Sequence, residues 1–87
     1  MNRIQIYDKL ESEFRQEWSD YDNTTDPHIK LTCVKWMINT CMDMLYFGTH
    51  DPQKVRRVLV ELITMSRRII REYGYKADSI TSGCTQQ

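Results

Sequence analysis

Eighty-seven residues with a formal net charge of zero make one small domain, of a size that leaves much of its surface exposed and makes self-association a ready route to stability. Three glycines, two prolines and a 40% apolar share exclude a collagen-like or disordered chain and disfavour a many-turned β protein, so an all-α fold is expected. No run of about 18 apolar residues occurs and the opening MNRIQIYDKL lacks an apolar signal core, so neither a membrane span nor secretion is expected and the chain reads as cytoplasmic.

Tyr7, Leu10, Phe14, Trp18 and Tyr21 recur at steps of three or four, the spacing of one helical face. This predicts a first helix over about 3–20 with an aromatic stripe inward. Asp8, Glu11, Glu13 and Glu17 fill other positions and give that helix an acidic outer side. The Ser, Asp, Asn and Thr cluster that follows ends it, because these side chains hydrogen-bond nearby backbone and favour turns.

Asp26–Pro27 then reads as a helix start: the carboxylate accepts from otherwise orphaned amides, and proline takes the first helical position without removing a needed donor. Asp51–Pro52 repeats the signal. Helices are predicted over 27–47 and 52–73, closed by Gly48 and Gly74 at positions that favour left-handed caps. Together the helices form a single domain over 1–76, and the small, polar, aperiodic segment 77–87 is expected to be a flexible tail.

The second helix is apolar on two sides. Leu31, Val34, Met37, Ile38, Cys41, Met42 and Leu45 make one face, while Ile29, Cys33, Trp36 and Phe47 make another that is assigned to an oligomer interface. The expected architecture is a small three-helix bundle, or a helical hairpin with a docked N-terminal helix, that self-associates.

The third helix is the cleanest amphipath, with Lys54, Arg57, Arg68 and Arg71 outward and Arg56 and Arg67 at the edge of its apolar sector. Residues 1–26 hold three basic and seven acidic groups, a net charge of −4, whereas residues 51–76 hold seven and three, a net charge of +4. Two readings follow. Arg56 and Arg67 would pair internally with Glu11, Glu13 or Glu17, or else Arg57, Arg68 and Arg71, with Lys54, face an anionic partner, which the guanidinium fork suits. Overall neutrality and the lack of a Gly-rich phosphate loop weigh against nucleic acid.

Tyr7, Lys30, Thr32 and Lys35 are the residues that would stack and hydrogen-bond a nucleotide-like anion at a subunit boundary. No cofactor or metal is expected, since Cys33, Cys41, Cys84, His28 and His50 form no close ligand pair. The cysteines read as reduced small hydrophobes. Without a nucleophile elbow, Ser-His-Asp order, HExxH motif or P-loop, no enzyme is expected. The expected function is a non-catalytic adaptor or inhibitor that binds another macromolecule. Sequestration of a nucleotide-like anion is the second reading, and nucleic-acid binding through the arginine face the third. Short all-helical chains without a catalytic signature, phage- and bacterium-encoded ones included, are often regulators of this kind, which is an analogy of build alone.

Overall fold

The computed structural model describes the backbone of residues 2–85 and the side chains of residues 2–73. Three helices make up the bundle: α1 Arg3–Asp22, α2 Pro27–Phe47 and α3 Pro52–Thr85. Among the described residues there is no strand.

Each helix starts on side-chain chemistry. The Asn2 side chain accepts from the Gln5 amide at 2.9 Å while the Gln5 side chain accepts from the Asn2 amide at 3.0 Å, a reciprocal box that satisfies two donors at once. Asp26 Oδ1 accepts from the His28 amide at 2.8 Å and Asp51 Oδ1 from the Lys54 amide at 3.1 Å, as the two Asp-Pro pairs predict. Both loops reuse one device. The Asp26 and Asp51 amides donate to the hydroxyls of Thr24 and Thr49, at 3.2 and 3.4 Å, a side-chain turn that aims each aspartate at its helix.

The ends differ from expectation at both glycines. Gly48 closes α2 with its amide on the Met44 carbonyl at 2.8 Å, but at φ 123° and ψ 155°, an extended backbone of positive φ open almost only to glycine rather than a left-handed helical cap. The Tyr7 ring packs against it, so that a Cβ built there would lie 2.6 Å from Tyr7 Cε1. At Gly74 the expected stop is absent, and α3 continues to Thr85. One glycine inside a helix costs only about 1 kcal/mol, too little to end a helix whose flanking residues continue it. The tail expected over 77–87 thus continues α3 in its backbone through Thr85; its side chains and residues 86–87 lie outside the described residues.

α2 is the middle helix. It packs on α1 and on α3, while α1 and α3 do not come into close approach. The core runs from Leu10 of α1 through Val34, Met37, Cys41 and Met44 of α2 to Val55, Leu62 and Ile69 of α3. Full burial of side chains such as Val34, Met37 and Leu62 contributes about 1.5–3 kcal/mol each. Two expectations are corrected here. The pairing of Arg56 and Arg67 with Glu11, Glu13 or Glu17 needs the first helix beside the third, but α2 stands between them. Cys33, assigned to the oligomer face with Ile29, Trp36 and Phe47, is 1% exposed; it sits on the edge of that patch nearest α1, which covers it.

Candidate functional site

On the side where α1 meets α2, a polar contact is set into the apolar seam. The Thr40 hydroxyl, only 4% exposed, donates to Glu17 Oε1 at 2.7 Å. Burial pushes the Glu17 carboxyl above its ordinary range; the Thr40 bond opposes that rise, while the like charges of Glu13, Asp20 and Asp43 add to it. Four carboxylates therefore gather on one flank of the bundle. By helical periodicity Asp43 shares its side of α2 with Ile29, Trp36 and Phe47, all exposed, Trp36 at 50%.

The opposite edge is basic. Lys54, Arg56, Arg57, Arg67, Arg68 and Arg71 are all exposed. Among the described residues Arg15 pairs with Glu11 at 3.5 Å, and the His50 ring nitrogen lies 3.7 Å from an Asp8 carboxylate oxygen; neither contact involves α3. The internal pairing expected for Arg56 and Arg67 with Glu11, Glu13 or Glu17 is therefore not made: Glu11 is taken by Arg15, Glu17 by Thr40, and α2 separates the helices. The doublets repeat after eleven residues, about three turns or 16 Å of helix, which returns Arg67 to the side of Arg56 and Arg68 to that of Arg57.

The residues considered for a nucleotide are not brought together within one chain. Tyr7 packs on Gly48 and meets the His50 ring edge-on at 5.0 Å between centroids. Lys30 sits at the other end of α1, donating to the Tyr21 carbonyl at 3.2 Å with its ammonium 4.0 Å from the centre of the Tyr21 ring. Fourteen residues of α1, about 21 Å of helix, separate Tyr7 from Tyr21. The Thr32 hydroxyl donates to the His28 carbonyl of its own helix at 3.1 Å, and Lys35 is exposed.

Because α1 and α3 stand apart, a groove runs between them over α2. Two adjoining clefts of about 400 and about 670 Å³ share Phe14, Arg15 and Val58. Cys41 and Met44 line one, and Trp18, Leu62 and Met65 line the other. Pattern reading missed this groove, since amphipathic periodicity shows that a helix has an inner face and not how many neighbours meet on it. The nearby thiols are poor nucleophiles: burial raises Cys41 to about 11 and also pushes Cys33 up, with the charges of Asp20 and Glu17 adding to the shift.

Among the described residues no helix is long and apolar enough to cross a membrane, and no cluster of three metal-ligating side chains occurs. Neither a protein-family model nor a curated protein nor a solved structure matches the chain.

Proposed function

We propose that this chain is a non-catalytic, self-associating helical adaptor or inhibitor of the cytoplasm that grips a carboxylate-rich surface of another protein through Lys54, Arg57, Arg68 and Arg71. The observation that carries the reading is the exposure of every basic side chain from Lys54 to Arg71, none of them in an ion pair among the described residues, although the chain holds as many acidic groups as basic ones. Guanidinium groups held on a helix and left unpaired by the described residues are available for bidentate bonds to carboxylates. Glu61 and Glu72 interrupt the outer side of α3, which suits a mosaic protein surface better than the uniform phosphate array of nucleic acid.

Replacement of Arg57, Arg68 and Arg71 by Glu tests the proposal. A partner that co-purifies with the wild type is expected to be lost, with circular dichroism unchanged, and binding is expected to weaken as salt rises. Retention of the partner by the triple variant overturns the assignment. A thermal shift with nucleotides or cyclic dinucleotides, reduced by Tyr7→Phe and Lys30→Ala, would favour the anion-binding alternative instead.

A further inference from the structure

Two exposed faces of this chain are opposite in charge and flank the same strip of α2. At 100° per residue, the sides of α2 fall in order. Thr40 points to α1, Cys41 and Val34, about 20° apart, to the inner side shared by the groove and α3, and Lys35, Asn39 and Tyr46 outward, where all three are exposed. On the α1 side of that outward strip stand Ile29 and Trp36 with the carboxylate of Glu17 and those of Asp20 and Asp43, both near enough for their charges to act on it. On the α3 side stand Val60, Ile63 and Ile70, exposed at 64%, 39% and 54%, beside Arg56 and Arg67. Val58, Glu61 and Met65 mark the groove side of α3, so by periodicity this apolar and basic flank is turned away from α1.

We infer that these faces are the two halves of one self-complementary interface, and that what covers them is a second copy of the chain in a two-fold dimer whose axis runs parallel to α2. The inference rests on the self-association proposed above and names its surface. Charge selects the symmetry. A two-fold axis in the contact plane and parallel to the helices sets the acidic flank of each copy on the basic flank of the other, twice over. An axis in that plane but across the helices sets acid on acid and arginine on arginine. The parallel arrangement covers Trp36 with Val60, Ile63 and Ile70 of the second copy and gives Arg56 and Arg67 the carboxylates that the described residues of their own chain do not supply. The interface closes on itself: the polar strip of Lys35, Asn39 and Tyr46 lies along the axis, and on either side of it an apolar contact and a set of opposite charges are repeated by the two-fold.

The test is a complementary charge swap read by light scattering on the full chain. The wild type is expected at twice the 10.5 kDa chain mass. Asp20→Arg with Asp43→Arg, and separately Arg56→Glu with Arg67→Glu, are each expected to weaken dimerisation about tenfold or more. Helicity is expected to hold, since all four side chains are exposed. Mixing the two variants is expected to restore a one-to-one heterodimer, because both flanks then meet opposite charge. Trp36→Ala, which changes no charge, is expected to weaken the wild-type dimer as well. A variant that still dimerises alone, or a mixture that stays monomeric, overturns the face assignment while leaving self-association standing. Growth of the mixture into larger species overturns the two-fold closure, and a wild type that is monomeric across micromolar concentrations overturns self-association itself.

Discussion

α1 and α3 flank the same central helix and are built on the same periodicity, yet they use their polar side chains in opposite ways. On α1, Glu17 reaches across to Thr40, Asp8 to His50 and the Tyr21 carbonyl to Lys30, so the helix is fastened to α2 and its loops at several levels. On α3, Thr64 and Ser66 donate to carbonyls of their own helix, and the basic side chains reach nothing described. α3 is held by apolar contact, chiefly at Val55, Leu62 and Ile69. An acidic helix tied to α2 by hydrogen bonds, and across α2 a basic helix held, among the described residues, through its apolar stripe, leave the basic one free to use its polar side elsewhere.

The largest expected effect breaks the apolar attachment of α3. Leu62, 1% exposed, becomes a cavity in Leu62→Ala, and the melting transition should reflect a loss of about 2–5 kcal/mol. If α3 docked mainly through polar contacts, the loss would be well under that range.

Next comes the junction at which α1 meets the end of α2. Gly48→Ala forces a Cβ both into a positive-φ backbone and onto the Tyr7 ring, at an expected cost of about 1–3 kcal/mol. Tyr7→Ala in the same chain should recover the steric part and leave the conformational part. A double-mutant cycle that shows simple additivity would remove Tyr7 from the account.

The polar fastening of α1 is sharpened by Thr40→Val, which deletes the donor to Glu17 and should cost about 1 kcal/mol at neutral pH. The sign of its pH dependence follows from the raised carboxyl. A group whose pKa is higher in the folded than in the unfolded chain is ionised at a cost to folding, and that cost is relieved as pH falls through the folded value. The difference between wild type and Thr40→Val should therefore shrink on acidification, because the Thr40 bond holds the ionised form. Melting curves at neutral and mildly acidic pH check this, and a gap that widens in acid would contradict it.

The smallest expected effect on folding is that of Arg57→Glu, Arg68→Glu and Arg71→Glu combined. Exposed charges without partners contribute within about 0.5 kcal/mol each, so the melting temperature should barely move while partner binding is lost. A large fall in stability would mean that these arginines are fastened after all, and the contrast between the two outer helices would fail.

Length, composition, the two Asp-Pro starts and the spacing of Leu10, Phe14, Val55, Leu62 and Ile69 were enough to determine three helices and nearly all of their beginnings. Caps and periodicity act within a turn or two of chain and need no tertiary partner. Tertiary structure decided which side of each helix meets which neighbour. Cys33 and Trp36 share an apolar patch of α2, and only the position of α1 makes one buried and the other half exposed. Tyr7 and Lys30 sit near helix ends that antiparallel packing places at opposite ends of the bundle. The acidic and basic segments, balanced along the chain, are kept apart in space because the middle helix has apolar surface for both neighbours, and burying that surface on two sides outweighs the small gain of exposed ion pairs between α1 and α3.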